Sequence, residues 1–196
     1  MRVALVIAGA DVQDRRGTMN SIYEKPCLSC SIANQEIKSE GGEIARSRHF
    51  NVSQDFEYMI PGFMIVASNR HFRALDEMTK EESHDFIDFV IQVREAQRSV
   101  LNISDVYYFY NEDTNHHFHL WMIPRRAWMK AFGRSIEFVS PMLAHAKLEF
   151  VTARHRYEVA EASRKMKAFM DGRASEKPKA KCAVLSTSQF VGRTDS

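Results

Sequence analysis

Two imidazoles on alternate residues, His117 and His119, carry the first chemistry that the sequence offers. A neutral imidazole has one lone pair that can be aimed by hydrogen-bonding its other nitrogen, so the pair can act as metal ligand, nucleophile or phosphate contact. Both lie in Asn115-His116-His117-Phe118-His119-Leu120-Trp121-Met122-Ile123-Pro124-Arg125, where apolar residues recur with period two. That period predicts a strand. His117, His119 and Trp121 would share a chemical face, while His116, Phe118, Leu120 and Met122 would turn to the core. A second group is Cys27-x-x-Cys30, with Cys182 alone near the C-terminus. Three cysteines, an odd and low count, do not make a disulfide framework. A redox pair would want a strand before the motif and a helix directly after it, whereas Glu24-Lys25-Pro26 precedes and polar residues follow. Half of a tetrahedral zinc site is the better reading, with histidine the usual supplement.

The run His117-Phe118-His119-Leu120-Trp121-Met122, followed by Ile123-Pro124-Arg125, resembles the signature of the histidine triad (HIT) superfamily: His, apolar, His, apolar, His, apolar, apolar. Trp121 stands where the third His is usual. The galactose-1-phosphate uridylyltransferase branch also lacks that His, having Gln there, and works through the middle one, so the departure leaves the nucleophile in place and bears on phosphate contact and substrate class. The resemblance covers Cys27 to about Arg126. It implies an α+β fold, a HIT-like antiparallel sheet with a long crossover helix, here followed by extra C-terminal helices.

The resemblance also implies a nucleotide hydrolase in which His119 attacks the α-phosphorus, giving a nucleotidyl-histidine that water resolves, with dinucleoside polyphosphates among the substrates. A nucleotidyltransferase or phosphorylase, and a non-catalytic nucleotide-binding regulator, are the alternatives. By similarity to zinc-containing members, Cys27, Cys30, His71 and His117 form a structural zinc site; two thiolates and two imidazoles suit that ion in a tetrahedron. With His117 on the metal and His116 on the opposite face, His119 is left as the nucleophile. The stretch Asp55 to His71 is similar to the family's strand, glycine turn and strand ending in His. That likeness implies Asp55, with Phe56 beside it, as a contact to the ribose, whose two hydroxyls a carboxylate can accept from. The alternative for Asp55 is a solvated strand end. Asn111 opens the connection whose polar groups reach the phosphates in the family, Thr114 and Asn115 are alternative donors of the leaving-group proton, and Trp121 either shapes the pocket edge or joins the core. Many members pair through the helix before the third core strand, which implies a homodimer.

Positioning these groups falls to strands and one long helix. From Ile44 to Asp55 the chain alternates loosely with Phe50 and Val52 in step, Pro61-Gly62 makes a turn, and Phe63-Met64-Ile65-Val66-Ala67 follows, which predicts two antiparallel strands. Thr79-Lys80-Glu81-Glu82 is a capping box ahead of Phe86, Phe89, Val90, Val93 and Val100, predicting a helix to about Leu101. Asp105 to Tyr110 is an aromatic-rich strand. Beyond Arg126 a helix through Ile136, Phe138, Met142 and Leu143 must be kinked or divided by Pro141, and another spans about Val151 to Met170. His49, His84, His145 and His155 show no partner spacing and read as surface or cap residues.

A chain of 196 residues with 44% hydrophobic content and a net charge of +2 describes one globular domain able to bury a core. The weak charge makes no case for nucleic acid, and no segment approaches the ~20 apolar residues that span a bilayer. The apolar run from Val3 to Ala10 is short for a secretory signal and only Arg2 precedes it. Residues 1–18 read as an N-terminal extension, 19–172 as the HIT-like domain with its C-terminal helices, and 173–196, rich in Lys, Ser, Thr and Ala without periodicity, as a disordered tail. A cytoplasmic location follows from the cysteine usage and the lack of an export signal.

Overall fold

The segment around His119 becomes an interior strand of a five-stranded antiparallel sheet. The computed structural model describes residues 27–38, 40–113 and 117–175. Along the chain run α1 (Leu28–Ala33), β1 (Glu43–Arg46), β2 (Phe50–Gln54), β3 (Met64–Ser68), α2 (Lys80–Leu101), β4 (Val106–Phe109), β5 (His119–Pro124), α3 (Val139–Glu149) and α4 (Ala153–Ser175), and the spatial strand order is β1-β2-β3-β5-β4. This is the expected α+β architecture, with α2 crossing over between β3 and β4.

Register decides which side chains share a face. Ala67 is opposite His119, Ile65 opposite Trp121 and Met64 opposite Met122; Phe109 is opposite Trp121 on the other flank. Facing residues of an antiparallel pair point to the same side. Phe50, Val52, Met64, Val66, Phe118 and Met122 therefore build one core with Phe86, Phe89 and Val93 of α2 and Met166 and Met170 of α4. The opposite face carries a second core, in which Phe63 and Ile123 meet Met129, Phe138, Val139, Met142 and Leu143, with Trp121, Tyr107 and Phe109 packed against it. Three layers result, with α2 and α4 on one side of the sheet and α3 with its preceding 3-10 turns on the other. The C-terminal helices are thus structural cover for both faces.

The crossover helix begins as its capping box requires. Thr79 Oγ1 accepts from Glu82 N at 3.2 Å and Glu82 Oε2 accepts from Thr79 N at 2.8 Å. It ends at Asn102, whose φ of 53° is a left-handed cap.

Four expectations change. The stretch Ile44 to Asp55 is two strands, because Ser47 N bonds Phe50 O at 2.8 Å and Asp85 of α2 accepts from both Ser47 Oγ and His49 N, folding a hairpin that only a tertiary partner could announce. Cys-x-x-Cys is followed directly by a helix, α1, with Cys27 as its N-cap. Pro141 neither kinks nor interrupts a long helix: it sits in the first turn of α3, where its missing N–H is no loss, and residues Ile136–Phe138 ahead of it form a 3-10 turn. Finally α4 continues through Gly172 to Ser175, past the expected end at Met170.

The turn between β2 and β3 closes tightly on α2. Gly62 has φ +89°, and a Cβ there would meet Ile103 Cδ1 at 2.6 Å and Leu101 Cδ1 at 3.0 Å. Gly133 has φ +87° but open space around it. Gly62→Ala should therefore cost about 2–4 kcal/mol, from left-handed strain plus overpacking, and Gly133→Ala only about 1 kcal/mol, a difference readable in urea midpoints.

Candidate functional site

Cys27 and Cys30 are placed by α1, His71 by the loop leaving β3, and His117 by the segment entering β5. Each offers one ligand atom, and the four atoms all lie within 4.8 Å of one another. Cys27 Sγ and Cys30 Sγ are each 3.5 Å from His117 Nδ1, and Cys30 Sγ is 3.1 Å from His71 Nδ1. A tetrahedral centre with Zn–S arms of about 2.3 Å and Zn–N arms of about 2.0–2.1 Å has S···N edges of about 3.6 Å. The two edges at His117 match that figure, and the donor set fits a soft or borderline divalent ion. Burial first, then the neighbouring Cys27, pushes the Cys30 thiol up to about 11, so two thiolates this close need a cation beside them.

His117 is the best-anchored of the four. It is 3% exposed; its Nε2 lies 2.8 Å from Ser68 O and 3.1 Å from Ser68 Oγ. With Nε2–H donated to that carbonyl, the lone pair must sit on Nδ1, facing the sulfurs. Burial also holds its pKa below the ordinary histidine value, keeping the ring neutral. Ser68, fully buried at the end of β3, was missed in the sequence, where a lone Ser between an apolar strand and a polar turn carries no signal.

His119 stands one alternation along, half-buried at the start of β5. Its Nδ1 is 3.1 Å from the carbonyl of His117. Trp121 follows on the same face, its ring 6.0 Å from that of His119. Of the two uses expected for Trp121, pocket edge or core, its packing is that of the core: the indole lies at 5.4 Å from Phe63, 6.2 Å from Tyr58 and 5.7 Å from Phe109, partly buried against the second core and beside His119.

No protein-family model matches the chain, and no curated protein matches it. Solved structures do. A zinc-bound histidine triad family protein from Mycobacterium smegmatis is similar at 18% identity and TM-score 0.55, over 76% of this chain and 96% of that one. A Hit-like protein involved in cell-cycle regulation from Bartonella henselae is similar at 17% identity and TM-score 0.54, over 76% and 99%. A member of the HIT family from Bacillus subtilis matches at 17% identity and TM-score 0.50, over 66% and 100%. The fold is that of the histidine triad proteins.

On the histidine triad fold the remaining residues named from sequence fall into two groups. Asp55 follows β2 and continues the row of residues on the His119–Trp121 face, since Ser53 is opposite Ile65 and Ile65 opposite Trp121. It is buried, not solvated, and Oδ1 accepts from Tyr58 N at 2.8 Å. Phe56 is half-buried with its ring against Gly41, where a Cβ would approach it to 2.3 Å. Asn111 is half-buried just past β4. Thr114 and Asn115 lie outside the described residues, as does His116. Of the four histidines expected at the surface, His145 is half-buried among the rings of Trp128, Phe132 and Phe150, and His155, in the first turn of α4, has its Nδ1 3.1 Å from Oγ1 of Thr152 just ahead of the helix. Among the described residues no helix is long and apolar enough to cross a membrane.

Burial pushes the Asp55 carboxyl up to about 6, against which the N–H of Tyr58 pulls down. A carboxyl whose folded value is raised favours folding most below its unfolded value, and that contribution is lost as pH rises through about 6. Asp55→Asn should therefore remove a stability loss on the order of 2–3 kcal/mol between pH 4 and pH 7. Urea titrations of both proteins across that range check it: the variant should gain on the wild type as pH rises, and parallel curves would show that Asp55 is not paying for burial.

Proposed function

We propose that the chain is a histidine triad protein that cleaves nucleotides at the α-phosphate through a nucleotidyl-histidine on His119, a hydrolase with dinucleoside polyphosphates in its substrate class. The observation that carries this is the contact between His119 Nδ1 and the His117 carbonyl at 3.1 Å. With Nδ1–H donated there, Nε2 bears the lone pair and can attack phosphorus without first losing a proton. As the Nε2–P bond forms and the bond to the leaving group breaks, the ring becomes cationic and the N–H···O=C bond becomes charge-assisted. The contact thus strengthens along the reaction path, which is the property catalysis needs. Water then forms the new P–O bond, the Nε2–P bond breaks, and a water proton passes to solvent.

Asp55 lies in step with the His119–Trp121 face of the sheet. Its buried carboxylate, which also accepts from Tyr58 N, supports a ribose contact; Phe56 and Trp121 would border the nucleoside. Asn111 would meet the phosphoryl oxygens, and Thr114 or Asn115 would give the leaving group its proton. Zinc would be held by Cys27, Cys30, His71 and His117, where it supplies structural cross-linking. The free thiols of Cys27 and Cys30 support a reducing, cytoplasmic setting.

His119→Ala should abolish turnover while leaving zinc content and nucleotide affinity close to wild type, and mass spectrometry of quenched wild-type protein should find a nucleotide adduct on the His119 peptide. An active variant would overturn the mechanism. A wild type that binds nucleotide but forms neither adduct nor product would assign the site to a binding regulator.

The homodimer implied by the resemblance finds support on the outer face of α2, where Ile87 and Ile91 are 55% and 51% exposed, and on the edge strand β4, where Tyr108 is 51% exposed. Val90, Ile91, Arg94, Glu95, Arg98 and Tyr108 line a groove between the two. Light scattering should give twice the chain mass, falling to the chain mass for Ile91→Glu; a wild-type monomer at high concentration would exclude this interface.

A further inference from the structure

The two imidazoles of the metal centre are held in different ways. His117 has a hydrogen-bond partner on its far nitrogen, the carbonyl of Ser68, which is how ligating histidines are ordinarily aimed. His71 is exposed, and among the described residues nothing bonds its far nitrogen. Its aim must come from the backbone that carries it.

Both neighbours of His71 are fixed. Phe72 is buried, and its carbonyl accepts from Phe118 N at 2.7 Å. Arg70 is clamped to the start of α2: Nε donates to Glu82 Oε1 at 2.8 Å, Nη2 to Glu82 Oε2 at 2.9 Å, and Nη2 also to the carbonyl of Glu77 at 2.8 Å. The guanidinium lies 4.6 Å over the Phe72 ring. Glu82 is buried at the helix start, where its own position is set by the capping box with Thr79. A forked, two-bond pairing fixes orientation as well as distance, which a point charge on a flexible stem does not.

We propose that Arg70 is a positioning residue of the metal centre, aiming His71 at the shared ligand position through the backbone, a role that no hydrogen bond to its far nitrogen fills among the described residues. This rests on the four-ligand reading of Cys27, Cys30, His71 and His117. The expected consequence is a preorganised third ligand, so that losing the clamp costs metal affinity without removing any ligand.

The test is zinc affinity of the full chain by competition with a chromophoric chelator, at a temperature where circular dichroism shows every variant folded. Arg70→Gln should weaken zinc binding by about 10- to 100-fold, in the range found when an outer partner of a ligating histidine is lost. Arg70→Lys should recover only part of it, because it keeps the charge and loses the fork. Removing Arg70 alone also strands the Glu82 carboxylate, so the double variant Arg70→Gln with Glu82→Gln separates the two effects by removing the pair together. It should bind zinc as weakly as the single variant. Cobalt(II) in place of zinc gives a second readout, with the visible bands of the variants weakening as water replaces His71. A double variant with wild-type affinity, or a single variant within twofold of wild type, would overturn the role of Arg70. A wild type that binds no zinc at all would instead overturn the metal centre itself.

Discussion

One buried imidazole holds the chemical features of this molecule in register. The ring of His117 has its Nε2 committed to the carbonyl of Ser68 and its Nδ1 turned to two cysteine sulfurs, while its own main-chain carbonyl receives Nδ1 of His119. Rotating the ring would leave a buried N–H and a buried carbonyl unpaired, at about 1–3 kcal/mol each. The aim of the His117 ring at the cysteines and the seating of the His119 ring are therefore not independent choices. They are the side-chain and main-chain consequences of a single residue's placement at the mouth between β3 and β5.

The second constraint is the double cover of the sheet. A sheet with only α2 and α4 packed on it would leave the His119 face open along its length. Here α3 and the 3-10 turn of Ala127–Phe132 bring a second core over the far end of that face. Trp121 is where cover and chemistry meet: one side of the indole sits among Phe63, Tyr58 and Phe109, and its ring is 6.0 Å from His119. An imidazole at position 121 would bury a polar group among aromatic rings, whereas indole fills the volume and has a single N–H to satisfy. The replacement of the usual third His is thus consistent with the packing of this chain's own C-terminal helices.

What could be seen in the sequence was whatever local pattern controls. Alternation in β5, the capping box of α2 and the proline-glycine turn before β3 each act within a few residues, and each appears where expected. The four candidate ligands were legible only as types and spacing tied together by a family likeness, since nothing local brings Cys30 to His71 across 41 positions. The hairpin at Ser47 was not legible, because the acceptor that forms it is Asp85 on α2. The same holds for Ser68 and for the second core: a serine partner, a buried Asp55 and the inward side of Trp121 exist only once the sheet has been assembled and covered.

The N-terminal helix depends on the Cys27, Cys30, His71 and His117 cluster for more than ligand chemistry. Six residues are too few for a helix to persist in water on its own. α1 buries only Ser31 and Ala33, while Leu28 is 61% exposed. Its backbone bonds are short-range, Ser31 N to Cys27 O at 3.0 Å and Asn34 N to Cys30 O at 2.8 Å. Its two cysteines approach His71 after β3 and His117 before β5. Two thiols beside each other, one of them pushed up to about 11, would repel as thiolates; a divalent ion held by Cys27, Cys30, His71 and His117 would offset that repulsion. Metal binding is coupled to ordering of the chain that supplies the ligands, so an ion held by these four side chains would fix the helix and the entry to the strand that carries His119 in one event.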